Sequence, residues 1–113
     1  MATLALDEGI YHQACFHAQQ CVEEALKAAL VLEGTLPPKV HYLGKLLSQL
    51  KSSFLEDLRP QIVSLDRFYI PTRYPDAWPG SLPEGLPNQE DARAAVEIAE
   101  IVVRRVKAKQ TAL

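Results

Sequence analysis

The residues in this sequence best suited to chemistry lie in a short stretch where proline recurs at every fourth position. Residues 71–87 hold these prolines, and between them stand Arg73, Tyr74, Asp76 and Trp78. A guanidinium group binds phosphate or carboxylate, and aromatic rings offer faces on which a base stacks. These four side chains therefore form a candidate site for a nucleotide or a partner protein. The alternative is structural, with Arg73 in an ion pair and the aromatic rings as an apolar lid.

The proline spacing also decides what kind of element carries this candidate site. Proline removes a backbone donor and fixes φ, so neither a helix nor a central strand can run through the stretch. Long loops of this kind tend to be either functional or disordered. We predict an ordered, proline-rich loop over about 71–88, within a single domain that spans 1–113.

Composition places the chain among ordinary globular proteins. It has 113 residues, of which 48% are apolar and 23% charged, and a chain of this length buries roughly two-thirds of its unfolded surface in one core. The sequence contains no apolar window long enough to cross a bilayer, and its start lacks the basic region of a signal peptide. These features predict a soluble, cytoplasmic protein without a membrane partner. The net charge of −2 argues against broad binding to DNA or anionic lipid, although it is compatible with a small basic patch.

Hydrophobic periodicity predicts helices and no convincing strand. Apolar side chains recur at three- and four-residue steps over 10–32, 39–50 and about 56–69, and again in a last helix that follows Asn88 as its N-cap. Gly34 is suited to end the first of these helices. The economical fold is an all-α, antiparallel up-and-down bundle of four to five helices, with the proline-rich loop before the last helix.

Glycine and proline limit where these helices begin. Pro38 suits the first turn of the second helix, and Pro60 is tolerable only in the first turn of the third. Gly9 is expected to interrupt the first helix. Apolar residues 3–6 are then left to pack as a short helix of their own or to be covered by the second copy of a homodimer.

Cysteine and histidine fall mainly on the first predicted helix. Cys15 and Cys21 are about 9 Å apart along a helix axis, beyond the reach of a disulfide, so we expect two core thiols. His12 and His17 lie three and four residues from these cysteines, a spacing that suits metal ligands. A closed zinc site needs further ligands, and only His41 remains, so buried or half-buried side chains are the simpler interpretation. The sequence indicates neither a metal nor a cofactor.

Two pairs of opposite charges are four residues apart on predicted helices. Glu100 and Arg104 favour a solvent-exposed ion pair near a basic helix end, where cations stabilise the helix dipole. Glu23 and Lys27 form either a surface pair, which contributes little, or a polar cluster that faces a groove or a dimer interface together with Arg73. We therefore add Glu23 and Lys27 to the candidate binding residues, and the ion pair of Arg73 is predicted with either Asp76 or Glu23.

Three blocks of the sequence resemble the HEPN domain family in its small prokaryotic form. They are 11–28, 40–47 and 69–76, in the family's order and spacing, and the last block, which contains Arg73 and Asp76, is the most specific. The resemblance covers almost the whole chain. It implies a helical bundle that is usually a homodimer and is often paired with a minimal nucleotidyltransferase in a two-gene module of toxin–antitoxin type.

The sequence departs from the ribonuclease members of that family. Those members carry an Arg-x(4–6)-His motif, in which the histidine moves a proton and the arginine holds the phosphate. All three histidines here precede Arg59, the first arginine, so the motif is absent. The resemblance then implies a non-catalytic partner subunit of a minimal nucleotidyltransferase, with the loop shaping the contact or a nucleotide pocket. Two alternatives stay open: a stand-alone nucleotide-binding module, and a divergent metal-independent ribonuclease that uses His41 or Tyr74.

Overall fold

The computed structural model describes the backbone of residues 2–68 and 87–112 and the side chains of residues 10–68 and 87–111. This part of the chain contains four α-helices. They are α1 (Ala2–Leu32), α2 (Leu43–Gln49), α3 (Arg59–Ser64) and α4 (Gln89–Ala112), with short 3-10 segments at Glu56–Leu58 and Leu65–Phe68 on either side of α3. No strand occurs within these ranges, and the predicted all-α bundle is confirmed. None of the helices described is long and apolar enough to cross a membrane.

The chain runs up and down alongside α1. After α1, residues 35–42 run back along it in a non-helical path, and α2 then runs in the same direction as α1. Residues 56–68 run back again, and α4 runs in the same direction as α1. Contacts at both ends of α4 fix these directions. Arg67 pairs with Asp91 near its start, whereas Lys109 near its end lies over the ring of Phe54. The two long helices therefore share the main packing interface of the bundle.

The core is one continuous, mainly aliphatic cluster to which every helix contributes. Alanines form the first half of the buried stripe of α4, which lets it approach α1 closely, and Val102 and Val106 complete the stripe. The described members of the apolar stripe predicted for the third helical stretch are buried, namely Leu58, Ile62, Leu65 and Phe68, and Pro60 lies in the first turn of α3 as expected. Core members without solvent exposure include Val22, Leu26, Leu30, Leu43, Leu46, Ile62 and Val102.

Two helix boundaries differ from those expected from sequence. α1 continues through Gly9, so the predicted interruption is wrong; a glycine inside a helix costs only about 1 kcal/mol, which a long packed helix tolerates. α2 begins at Leu43 rather than next to Pro38. The reason is Asp66, whose two carboxylate oxygens accept hydrogen bonds from the N–H groups of Leu43 and Gly44, at 2.7 and 3.3 Å.

The end of α1 is confirmed at Gly34. This residue has a φ of +76°, in the left-handed region. The N–H of Thr35 donates to the carbonyl of Leu30, and the N–H of Gly34 donates to that of Val31, both at 2.9 Å. These two bonds form a Schellman motif, in which the left-handed residue lets the last turn satisfy its own carbonyl groups.

Replacing Gly34 with alanine is expected to lower the free energy of unfolding by about 1 kcal/mol, because a side chain disfavours the left-handed conformation. The matched control is Gly44→Ala. A Cβ there meets Val63 at an ordinary contact distance of 3.5 Å, and alanine favours a helix, so stability is expected to stay the same or rise. Urea unfolding measures both variants, and an equal loss in the two would contradict the assignment.

The start of α4 is closed by the predicted N-cap. Oδ1 of Asn88 accepts a 2.8 Å hydrogen bond from the N–H of Asp91, and Oδ2 of Asp91 accepts a 3.0 Å bond from the N–H of Asn88. This reciprocal pair is a capping box with aspartate in the third position. It fixes the point at which α4 begins to pack on α1.

The basic end of α4 binds across the bundle. Arg105 donates to both carboxylate oxygens of Asp57, at 2.6 and 2.9 Å, and to the carbonyl of Phe54 at 3.0 Å. The hydrogen bonds from Arg105 hold the pKa of Asp57 below its usual value. Arg104 donates to the backbone carbonyl of Glu100 at 3.4 Å rather than to its carboxylate, so the ion pair predicted there is wrong.

Candidate functional site

Three buried polar side chains lie in a row on the inner face of α1. They are His12, Gln19 and Glu23, and their spacing of seven and four residues places them on one side of the helix. Burying a polar group costs free energy unless it is hydrogen-bonded. A small bundle that buries such a row therefore needs a structural or functional reason for it.

Glu23 is the centre of a polar cluster that joins α1 to the segment before α2. Its side chain is only 4% exposed, and its Oε2 accepts a 2.9 Å hydrogen bond from Nζ of Lys27, one turn further along the helix. Nδ1 of His41 lies 3.2 Å from the same oxygen. The side chains of Lys27 and His41 are 27% and 53% exposed, so both also reach solvent. We name these three residues and Gln19 the Glu23 cluster.

Gln19 holds the backbone of His41 against α1. Its Nε2 donates to the carbonyl oxygen of His41 at 3.0 Å, and its Oε1 accepts a 2.7 Å hydrogen bond from Nε2 of Gln20. The ring of His41 is held separately by Glu23, one turn further along α1. Both the main chain and the side chain of His41 are thus anchored to the same face of one helix.

The Glu23 cluster presents a desolvated carboxylate, of which one oxygen, Oε2, is hydrogen-bonded by the described residues. Oε1 of Glu23 is buried and accepts no hydrogen bond from the residues that the structure describes. A carboxylate next to Nδ1 fixes the orientation of an imidazole. The arrangement is suited to recognising a hydrogen-bond donor and to holding His41 in one orientation.

The structure brings together two of the six candidate residues. The predicted pairing of Glu23 with Lys27 is confirmed, although Glu23 is buried and is not part of a surface pair. Sequence reasoning missed Gln19, and the available signal was its polar side chain on the otherwise apolar stripe of a predicted helix. The remaining candidates lie outside the described residues, so their role stays a prediction: Arg73, Tyr74, Asp76 and Trp78.

Only one of the two cysteines is a core thiol. Cys15 is fully buried, and burial raises the pKa of its thiol to about 11, so the thiol is protonated at neutral pH. Cys21 is exposed, and its predicted place in the core is wrong because it lies on the outer face of α1. Burial also lowers the pKa of His12. Within the described ranges, no three His, Cys, Asp or Glu side chains come together in a way that could hold a metal ion.

A shallow apolar groove of about 540 Å³ runs between the two long helices on the outer surface. Its floor consists of the small side chains Ala14, Ala18 and Ala99, and Val96 and Val103 line it on the side of α4. Val96 is 39% exposed. We name this feature the α1–α4 groove.

The outer face of α1 continues this groove in both directions. Ile10, Ala14, His17 and Cys21 follow at steps of four, three and four residues, and the same steps lead on through Glu24 to Val31. Ile10 and Val31 are large, apolar and exposed, whereas Glu24 places an exposed charge between them. The part of this face from Ile10 to Cys21 carries no carboxylate, and its spacing of about 3.5 residues is typical of a helix that packs against another helix. No other element in the described part of the chain covers this face.

The two long helices and the short helical segments packed beside them form a helical bundle, in which the buried polar side chains lie on α1. A family model described as HEPN domain matches residues 1–109. The chain belongs to the HEPN family, and the resemblance drawn from the three sequence blocks is confirmed. It is also similar to a curated protein of Methanocaldococcus jannaschii named putative toxin MJ1304, at 31% identity over an alignment of 117 positions that covers 95% of this chain and 77% of that protein. No solved structure matches the chain.

Proposed function

We propose that this protein is the non-catalytic HEPN subunit of a toxin–antitoxin-like module, and that it acts as a homodimer that binds a minimal nucleotidyltransferase. Membership of the family and similarity to a protein named as a putative toxin support the module. One observation carries the binding role: every histidine precedes Arg59, so the ribonuclease motif is missing from a chain that otherwise matches the family along almost its whole length.

A second copy of this chain is the occupant that suits the α1–α4 groove. Charges of both signs border it, with Glu100 and Arg104 on α4, and under two-fold symmetry an acid of one copy can face a base of the other. Specific interfaces bury about 1,200–2,000 Å² in total. The contact therefore extends beyond the groove, along the outer face of α1 towards Ile10, whose exposed apolar side chain favours it.

The Glu23 cluster and the proline-rich loop are the proposed contact for the nucleotidyltransferase. A small protein retains a buried charge most readily where function requires it. Glu23 supplies a desolvated acceptor and Lys27 a donor. Arg73 and Tyr74 of the loop would add a guanidinium and an aromatic face, as the sequence predicts.

Co-expression with the product of the neighbouring gene tests this proposal. We expect a tagged form of this chain to retain a minimal nucleotidyltransferase through gel filtration, and light scattering to give a mass that contains two copies of the chain. The chain purified alone, as the control, is expected to be dimeric. A monomeric mass together with no retained partner would contradict the proposal.

A further inference from the structure

Two side chains able to bind a metal ion line the largely apolar α1–α4 groove on the side of α1. They are His17 and Cys21, which are four residues apart and are both exposed in the single chain. Side chains at this spacing lie on one helix face, with Cβ atoms about 5–6 Å apart. A histidine pair at the same spacing binds one zinc ion in metalloproteases. One copy of the chain therefore offers two ligands for the same ion.

A single copy does not complete such a site. Zinc in a structural site takes four ligands in a tetrahedral arrangement. Within the described ranges, no three His, Cys, Asp or Glu side chains come together in a way that could hold a metal ion. His12 and Cys15, the other candidates on α1, are buried inside the bundle and do not line the groove. The two missing ligands have to come from another molecule.

The second copy in the proposed dimer has ligands of the same kind at the same place. In a two-fold contact, a residue meets its own counterpart only near the symmetry axis. His17 is the middle residue of α1, and the groove lies against the middle of both long helices. An axis through this part of the groove lets the contact extend along the helices on both sides of it. Such an axis brings His17 and Cys21 opposite the same two residues of the second copy.

The charge of a zinc ion with these four ligands suits an apolar interface. Zinc binds cysteine as the thiolate, so each Cys21 releases its thiol proton to solvent when the ion binds. The two thiolates balance the charge of the divalent ion, and the two imidazoles are neutral, so the completed site has no net charge. Without the ion, the contact would bury two imidazoles and two thiols against alanine and valine side chains, and burying a polar group costs free energy unless it finds a partner.

We infer that His17 and Cys21 of two copies bind one zinc ion at the two-fold axis of the dimer. Two sulfur and two nitrogen ligands in a tetrahedral set favour zinc over magnesium or calcium, which prefer oxygen. The site rests on the dimer of the proposed function and does not require the nucleotidyltransferase. Because the site is complete only in the pair, zinc is expected to stabilise the dimer.

Cobalt(II), which occupies zinc sites and absorbs light when a thiolate binds it, is the probe of the full chain. The chain is first freed of metal with a chelator and kept reduced. We expect a thiolate-to-cobalt charge-transfer band that saturates at one ion per two chains and disappears when zinc is added. Cys21→Ser and His17→Gln are each expected to weaken binding about 100-fold or more, because loss of a residue that only orients a ligand already costs about 10–100-fold.

The matched control is Cys15→Ala, which removes the other thiol of the chain. Cys15 is fully buried and does not line the groove, so the affinity for cobalt and the stoichiometry are expected to stay the same. His17 and Cys21 are exposed in the single chain, and their replacement is expected to leave the fold intact. Circular dichroism checks the fold of all three variants.

Light scattering separates failure of the site from failure of the dimer. A dimeric mass without the charge-transfer band would overturn the zinc site and leave the proposed dimer in place. Saturation at one ion per chain would overturn the site as well, since the second copy would then supply no ligand, and so would a band that persists in Cys21→Ser. A monomeric mass both with and without cobalt would contradict the dimer and the site together.

Discussion

Replacing Val96 with glutamate is expected to convert the dimer into folded monomers. Val96 lines the α1–α4 groove and is 39% exposed in the single chain, so a longer polar side chain can point into solvent without disturbing the core. In the proposed dimer the same position is covered, and two carboxylates would be buried there with Glu100 close by on the same helix. An unpaired buried charge costs several kcal/mol, on the order of the stability of a modest interface.

The matched control for this variant is Val63→Glu. Val63 is also 39% exposed and also helical, but it lies on α3, away from the groove. Light scattering during gel filtration measures the mass, and thermal unfolding followed by circular dichroism measures the fold. We expect half the mass for Val96→Glu and an unchanged mass for Val63→Glu. A dimer that survives Val96→Glu would place the interface elsewhere, and an unfolded variant would show that the monomer depends on its partner.

The features predicted correctly from sequence depend on residues close together in the chain. Gly34 ends α1 and Asn88 begins α4 because each acts on backbone groups within five residues of itself. The apolar stripes of the helices follow from the helical repeat alone. The contact between Glu23 and Lys27 is likewise local, since it joins two consecutive turns of one helix.

The features that sequence reasoning missed depend on residues far apart in the chain. Asp66 sets the start of α2 from 22 and 23 residues away, and Arg105 reaches Asp57 across 48 residues. Local patterns contain no information about such pairs, so they place the start of α2 four residues too early and predict only a stabilised helix dipole for the basic end of α4, where Arg105 lies.

The burial of Glu23 is the clearest example of this limit. A glutamate four residues before a lysine is typical of a solvated helix face. Its burial follows from the return of residues 35–42 along α1, which brings His41 onto its carboxylate from 18 residues away. The ion pair between Glu23 and Lys27 can therefore be inferred from the local sequence, whereas the burial of Glu23 inside the protein cannot.

Replacing Glu23 with methionine is expected to abolish binding of the nucleotidyltransferase without lowering stability. Removing one member of a buried ion pair is usually costly, because the other charge is left buried. Here Lys27 and His41 both reach solvent and can be hydrated when the carboxylate is gone. Replacement of a buried charge by an apolar side chain of similar length is then neutral or stabilising, by up to about 1–4 kcal/mol. A residue that costs stability and is nevertheless present is best explained by function.

The neighbouring residue supplies the control for this last prediction. Glu24→Met makes the same change of charge at an exposed position one residue away, and both binding and stability are expected to stay close to those of the wild type. Urea unfolding gives the stabilities, and retention of the nucleotidyltransferase by the tagged chain gives the binding. A large loss of stability in Glu23→Met alone would make the cluster a structural element. Full binding by a stable Glu23→Met protein would remove Glu23 from the contact and leave the loop residues to supply it.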